Sequence, residues 1–219
     1  MNTTMIRSLS IILFMLIGLL AFSQDPGLKK DIDAIINQYT SKENTVMKFE
    51  ITMRYSESEV QEYSGAFYQS NGEYGVYFDD YQIYSNGKAQ WTIFKENKEV
   101  QITTVDPEGA ELSSPAGILK YLDENSFKYF DKSALATNNA SLFIIEMIPL
   151  DKNSDYFKIR ISQDTRSKQI KYIEVFSRDG SRFQMNITET SFPDKIDEKM
   201  YKWNVNDFKD YYIEDLRID

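Results

Sequence analysis

The chain has 219 residues, a formal net charge of −9, and neither cysteine nor histidine. Without those residue types it cannot form disulfides, Cys-His or Ser-His-Asp nucleophile systems, or the common zinc sites. The acidic balance disfavours a nucleic-acid partner, because phosphate neutralisation needs Lys and Arg, and it repels anionic membrane surfaces. Aromatic residues make up 14% of the chain, which favours extensive β-sheet.

The first 23 residues have the pattern of a secretory signal peptide. Arg7 is the only charge, residues 9–20 are almost wholly apolar, and Ala21 and Ser23 are small residues before Gln24. The apolar run is too short to span a bilayer comfortably; an uncleaved N-terminal anchor is the alternative. No cysteine is present to carry a lipid anchor. We therefore expect export, cleavage before Gln24, and one domain over residues 24–219.

One amphipathic helix opens the exported part. Its apolar residues recur at helical spacing and predict a stripe that packs on a sheet: Leu28, Ile32, Ile35, Ile36 and Tyr39. Alternation of period two then predicts nine to eleven strands. The clearest are residues 48–55, 63–67, 74–78, 81–85, 90–95, 99–105, 141–149, 156–162, 169–177 and 182–190.

Asn-Gly pairs at 71–72 and 86–87 predict tight hairpin turns within an antiparallel meander. The acidic end of the chain is expected to fray. Between the two groups of strands, Pro115 predicts the start of a short helix that is apolar on most sides. Its apolar residues are Ala116, Ile118, Leu119, Tyr121 and Leu122.

An open barrel needs a cover over its apolar concave face, and both predicted helices are candidates. The interior is then either a cavity or a core in which the side chains fill one another's space. An acyl chain of about 14 methylenes gains roughly 11 kcal/mol gross on leaving water, so a cavity for lipid needs few directed contacts.

Six segments, spread over nearly all of the exported part, carry a family resemblance. They are Gly65-Ala66-Phe67-Tyr68, Ile83 to Phe94 with its Asn86-Gly87-Lys88 turn and Trp91, Ser114-Pro115-Ala116-Gly117-Ile118-Leu119, Phe157-Lys158-Ile159-Arg160-Ile161, Ile170 to Val175, and Phe192 to Val205. In this order they resemble the LolA-type outer-membrane lipoprotein carrier family.

The resemblance implies a mostly β (α+β) fold, an incomplete antiparallel β-barrel covered by lid helices. It implies a monomeric periplasmic chaperone, without cofactor, metal or enzymatic activity, that binds the acyl chains of lipoproteins. The implied partners are an inner-membrane lipoprotein-releasing ABC complex, from which cargo is received, and an outer-membrane acceptor.

The ligand-binding residues expected for such a carrier are apolar and come from strands and from both helices. They are Phe49, Ile51, Met53, Phe67, Tyr77, Trp91 and Ile93 on strands, Ile118, Leu119 and Leu122 on the second helix, and Leu28, Ile32, Ile35 and Ile36 on the first. The family's arginine that holds the lid shut corresponds to Asn71, which brings no charge to this lid-latch position.

Two other functions are compatible with the sequence. A sensor or partner-docking module of the same fold would have a solid core and no internal cavity. A hydrolase could use paired carboxylates such as Asp79-Asp80, or Asp106 with Glu108, but none has an identifiable base partner. Asp79-Asp80 is too short for a calcium loop and is interpreted as a solvated turn.

Overall fold

The computed structural model describes residues 26–56, 58–105, 117–118, 122, 127–136 and 141–217. The predicted signal peptide, Leu119, Asp106 and Glu108 lie outside these described residues. Helix α1 spans Pro26–Thr40, as predicted. Its apolar stripe is buried, while Lys29 Nζ pairs with Asp33 Oδ1 at 2.7 Å on the exposed side. No helix within the described ranges is both long and apolar enough to cross a membrane.

Twelve strands form one mixed sheet. They are β1 (Asn44–Arg54), β2 (Val60–Ser70), β3 (Glu73–Phe78), β4 (Tyr81–Ser85), β5 (Ala89–Phe94), β6 (Glu99–Thr104), β7 (Phe127–Asp131), β8 (Leu142–Pro149), β9 (Tyr156–Asp164), β10 (Ile170–Ser177), β11 (Arg182–Ser191) and β12 (Tyr212–Asp215). Short 3-10 helices cover Ser133–Leu135, Glu198–Met200 and Val205–Phe208.

The sheet is open, and its strand order is β12-β6-β5-β4-β3-β2-β1-β11-β10-β9-β8-β7. Pairing of β1 with β11 joins the two antiparallel meanders, so the incomplete barrel predicted from the sequence is confirmed. The prediction that the acidic end frays is wrong, because β12 pairs in parallel with β6. Leu216 N, just beyond β12, donates to Ile102 O at 2.8 Å.

The two Asn-Gly hairpins are confirmed, but they turn differently. Asn71 and Gly72 both have positive φ, 52° and 81°, as a type I′ turn requires. At the second hairpin Gly87 has φ 79°, and Asn86 Oδ1 instead accepts hydrogen bonds from Lys88 N at 3.0 Å and Ala89 N at 2.9 Å. The Asn86 side chain therefore stabilises this turn through hydrogen bonds to its backbone.

Strand register defines two faces of the sheet, because directly opposite residues on paired strands point to the same side. Ile51, Met185, Ile173, Ile161 and Ile145 are successive partners across five strands, and all are buried. The buried stripe of α1 belongs to the same hydrophobic cluster. We call this helix-covered side the inner face and the other side the outer face.

Candidate functional site

The inner face is a continuous apolar surface with Phe49 near its middle. The Phe49 ring lies over Gly65, where an added Cβ would come within 2.7 Å of it. The ring also meets Phe78 edge-on, with centroids 5.8 Å apart. Of the predicted strand residues, Phe49, Ile51 and Phe67 are buried here, and Met53 packs against them while partly exposed.

Helix α1 covers this surface through apolar contacts and is tied to the sheet at its C-terminal end. The predicted residues Leu28, Ile32, Ile35 and Ile36 are all buried in the inner-face cluster. Tyr39 Oη accepts a hydrogen bond from Ile170 N at 2.8 Å, and its ring meets Phe192 edge-on with centroids 5.7 Å apart. Burial raises the pKa of the Tyr39 phenol.

The second predicted helix contributes to the same cover. Gly117, Ile118 and Leu122 are helical, and Ile118 and Leu122 are buried in the inner-face cluster. Two separate helical segments therefore contact one apolar sheet face. Apolar surfaces can separate without breaking hydrogen bonds, which makes such a cover easier to displace than a paired strand.

Three predicted residues lie on the other side of the sheet. Tyr77 pairs with Ala66, Trp91 with Tyr84, and Ile93 with Val100, which is the register of the outer face. These side chains pack in a second cluster with residues of the C-terminal segment. The prediction that they line the helix-covered interior is wrong. Their side chains lie on the outer face and pack against the C-terminal segment instead.

The C-terminal segment lies close against the outer face. The Trp203 ring stacks on Trp91, with centroids 5.7 Å apart and planes 10° apart, and Phe208 stacks on Trp203 at 4.8 Å. Tyr77 Oη donates to Lys199 O at 3.0 Å. An added Cβ on Gly75 would collide with Met200 O, so this strand position needs glycine.

Asn71, the predicted latch position, lies in the β2–β3 turn and is exposed. Its amide Nδ2 donates to Ser70 Oγ at 3.3 Å, and its backbone N donates to Glu43 O at 3.2 Å. Both partners lie outside the helices. The positive φ explains why Asn suits this position, and the latching role stays a prediction.

The inner face also contains residues of the later strands that were not predicted to bind ligand. In the sequence these residues share one feature: each belongs to the apolar set of an alternating strand. The strand register places that set beneath the helices. They are Ile145, Met147, Ile159, Ile161, Ile173, Val175, Met185 and Ile187.

A groove of about 500 Å³ opens beside β1 and β2. Ile51 and Tyr63 form its apolar part, and most of the other lining residues are polar or acidic. These are Glu50, Thr52, Glu62, Ser64, Asp79, Asp80 and Asn186. Asp79 and Asp80 are exposed in a turn, as predicted, and the described residues contain no group of three or more carboxylates placed to hold a metal ion.

No protein-family model and no curated protein matches the chain. Among solved structures, an uncharacterised conserved protein from Thermus thermophilus is 7% identical, with a TM-score of 0.53, covering 85% of this chain and 98% of that chain. At this identity the likeness shows a shared fold.

Two further solved structures are similar over most of their own length. A LolA superfamily protein from Nitrosomonas europaea is 8% identical, with a TM-score of 0.43, covering 80% of this chain and 97% of its own. A putative outer membrane lipoprotein-sorting protein domain from Vibrio parahaemolyticus is 16% identical, with a TM-score of 0.42, covering 83% and 99%.

Proposed function

We propose that the chain is a soluble periplasmic carrier that binds the acyl chains of lipoproteins and ferries them from the inner to the outer membrane. The observation that supports this most is the cover of the inner face. Two helical segments cover the inner face and are joined to it mainly through apolar side chains. A barrel that served only as a scaffold could fill its interior with side chains of its own strands and would not need this cover.

Cargo binding then exchanges one apolar contact for another. When the helices move off the inner face, acyl methylenes enter between the sheet and the apolar residues Leu28, Ile32, Ile118 and Leu122, at about 0.8 kcal/mol for each buried methylene. Because the Tyr39–Ile170 hydrogen bond ties the C-terminal end of α1 to the sheet, it must break when α1 moves away. Cargo would arrive from an inner-membrane ABC complex and leave to an outer-membrane acceptor.

The experiment measures uptake of a synthetic diacylated lipopeptide by native mass spectrometry. Because the chain has no cysteine, a Tyr39→Cys/Phe192→Cys protein carries only the two introduced thiols. A short bismaleimide that joins them should prevent α1 from moving away and abolish uptake. The same double variant without cross-linker is the control and should still load.

A second variant tests the second helix. Leu122→Glu places a charge on the buried apolar contact and should abolish uptake, while Lys30→Glu on the exposed side of α1 should leave uptake unchanged. Thermal melts establish that each protein is folded. Uptake that survives both the cross-link and Leu122→Glu, or no uptake by the unmodified chain, contradicts the carrier function and favours a partner-docking module.

A further inference from the structure

The outer face brings cations and exposed apolar side chains together at one end of the sheet, where β8 turns into β9 and β10 into β11. We call this surface the end patch; it consists of Lys128, Ile148, Phe157, Lys158 and Arg182 on the strands, together with Leu150 just beyond the end of β8. Lys128 is the cross-strand partner of Ile148, and Phe176 is the partner of both Lys158 and Arg182. A single row of side chains therefore runs from β7 to β11.

Contacts support this placement. Lys158 Nζ lies 4.0 Å from the centre of the Phe176 ring, and the Arg182 guanidinium lies 5.3 Å from it. Lys158 Nζ is also 3.7 Å from the carboxylate of Glu146, which precedes Ile148 by two residues on β8. Ile148 and Lys158 therefore share the outer face.

The apolar members of the end patch are exposed well beyond what the fold needs. Leu150 is 49% exposed, Phe157 is 43% exposed and Ile148 is 37% exposed. The β9–β10 register shifts at Phe157, so this residue does not follow Ile159 and Ile161 onto the inner face; the centroid of its ring lies 6.1 Å from that of the buried Phe176 ring. Exposed apolar side chains grouped in this way mark an interaction surface.

The charges at this end are only partly neutralised within the protein. Arg160 Nε pairs with Glu146 at 2.8 Å, and Lys158 shares that carboxylate. Arg182 stands directly opposite Arg54, an arrangement that costs stability. Among the described residues, no carboxylate pairs with Arg182, Arg54 or Lys128.

Acidic residues also occur here, and their positions limit the patch. The Asp151 carboxylate accepts from Asn153 N at 2.9 Å, and that of Asp179 accepts from Ser181 N at 2.8 Å, each within its own turn; Asp155 lies in the first of these turns. The acidic groove lies beyond Arg54, along β1 and β2. The cationic surface is therefore confined to the β7–β11 side.

We propose that the end patch docks this protein on an anionic phospholipid bilayer. Leu150 and Phe157 enter the headgroup region, while Lys128 and Arg182 contact lipid phosphates. Lys158 stays over the Phe157 and Phe176 rings. A chain of net charge −9 is repelled as a whole by such a surface, so contact is favoured where unpaired cations and exposed apolar side chains lie together. The proposal does not depend on lipoprotein carriage.

The experiment is co-sedimentation of the protein, as recovered from expressing cells, with vesicles of phosphatidylcholine alone or mixed with phosphatidylglycerol. We expect binding to the anionic vesicles that weakens in high salt, and weaker binding to phosphatidylcholine. Lys128→Gln/Arg182→Gln should lower the partition coefficient roughly 25-fold, about fivefold for each charge. Leu150→Ser/Phe157→Ser should weaken binding to both kinds of vesicle.

The matched control is Lys30→Gln/Lys88→Gln, which removes two exposed cations away from the end patch and should bind like the unmodified chain. Thermal melts verify folding of each variant. Equal binding to both vesicles, or an equal loss in the control, overturns the proposal. So does binding of soluble polyglutamate without vesicle binding, which would assign the patch to an acidic protein.

Discussion

The indole rings of Trp91 and Trp203 stack with their centroids 5.7 Å apart, although more than a hundred residues separate them in the chain. One comes from β5 and the other from the segment that crosses the outer face. Phe208 also stacks on Trp203, with centroids 4.8 Å apart, so this indole contacts two aromatic rings. The stack fixes the path of the C-terminal segment up to its return as β12.

Trp203→Ala should destabilise the protein by about 3 kcal/mol, because it removes a large aromatic side chain that stacks on two other rings. Trp203→Phe keeps a ring there and should lose less than half as much. Urea unfolding followed by far-UV circular dichroism measures both. Equal losses for the two variants would show that ring stacking does not hold the segment.

Gly75→Ala should also loosen the C-terminal segment. The new methyl group would collide with Met200 O, and relief of the clash should cost about 1–3 kcal/mol. Hydrogen exchange should accelerate at the amides of β12, which depends on this segment for its position. Glu73→Ala, at the start of the same strand, is the control. Unchanged exchange in Gly75→Ala would contradict the close approach.

Tyr39→Phe should cost about 1–3 kcal/mol, because Ile170 N loses its hydrogen-bond acceptor in a buried position. Tyr129→Phe is the matched control, since Tyr129 is equally buried and no hydrogen bond of its hydroxyl lies within the described part of the chain. It should unfold like the parent protein. Chemical denaturation compares the two, and a neutral Tyr39→Phe would remove the proposed anchor of α1.

Stability should be nearly flat between about pH 6 and 9 and fall in alkali. The chain has no histidine or cysteine to titrate in that range. Burial raises the pKa values of Tyr39, Tyr77 and Tyr84 above their ordinary value. The unfolded chain therefore loses these protons first, so the free energy of unfolding declines as the pH rises beyond about 10.

Urea unfolding at several pH values measures this decline. A Tyr77→Phe/Tyr84→Phe protein should be less stable at neutral pH, because the hydroxyl contacts are lost, but its alkaline decline should be shallower. A decline of the same steepness in the double variant would show that other groups cause it.

Local pattern predicted much of this fold. The spacing of Leu28 and Ile32 identified α1, and alternation together with the Asn-Gly pairs identified most strands and hairpins. Neither the alternation nor the Asn-Gly pairs indicate which face of the sheet the helices cover. On β5, Trp91 and Ile93 form the apolar face, but their cover is Trp203, which is distant in sequence. Only the strand register and the path of the C-terminal segment resolve such a choice.

Two strands, β7 and β12, were not predicted from the sequence, for a related reason. β7 is short and follows the second helix closely, and β12 holds only four residues with an acidic end. Strands this short carry little alternation, and β12 is stabilised by its parallel pairing with β6 instead of by its own composition. No local sequence pattern predicts the pairing of β12 with β6.

Native mass spectrometry of the protein recovered from the envelope of its own cells tests the carrier function most directly. A carrier should give complexes heavier than the bare polypeptide by the mass of an acylated protein or lipid, and Leu122→Glu, which disrupts the apolar contact at the inner face, should abolish them. A preparation that contains bare polypeptide alone, and that stays bare when offered a diacylated lipopeptide, would contradict it.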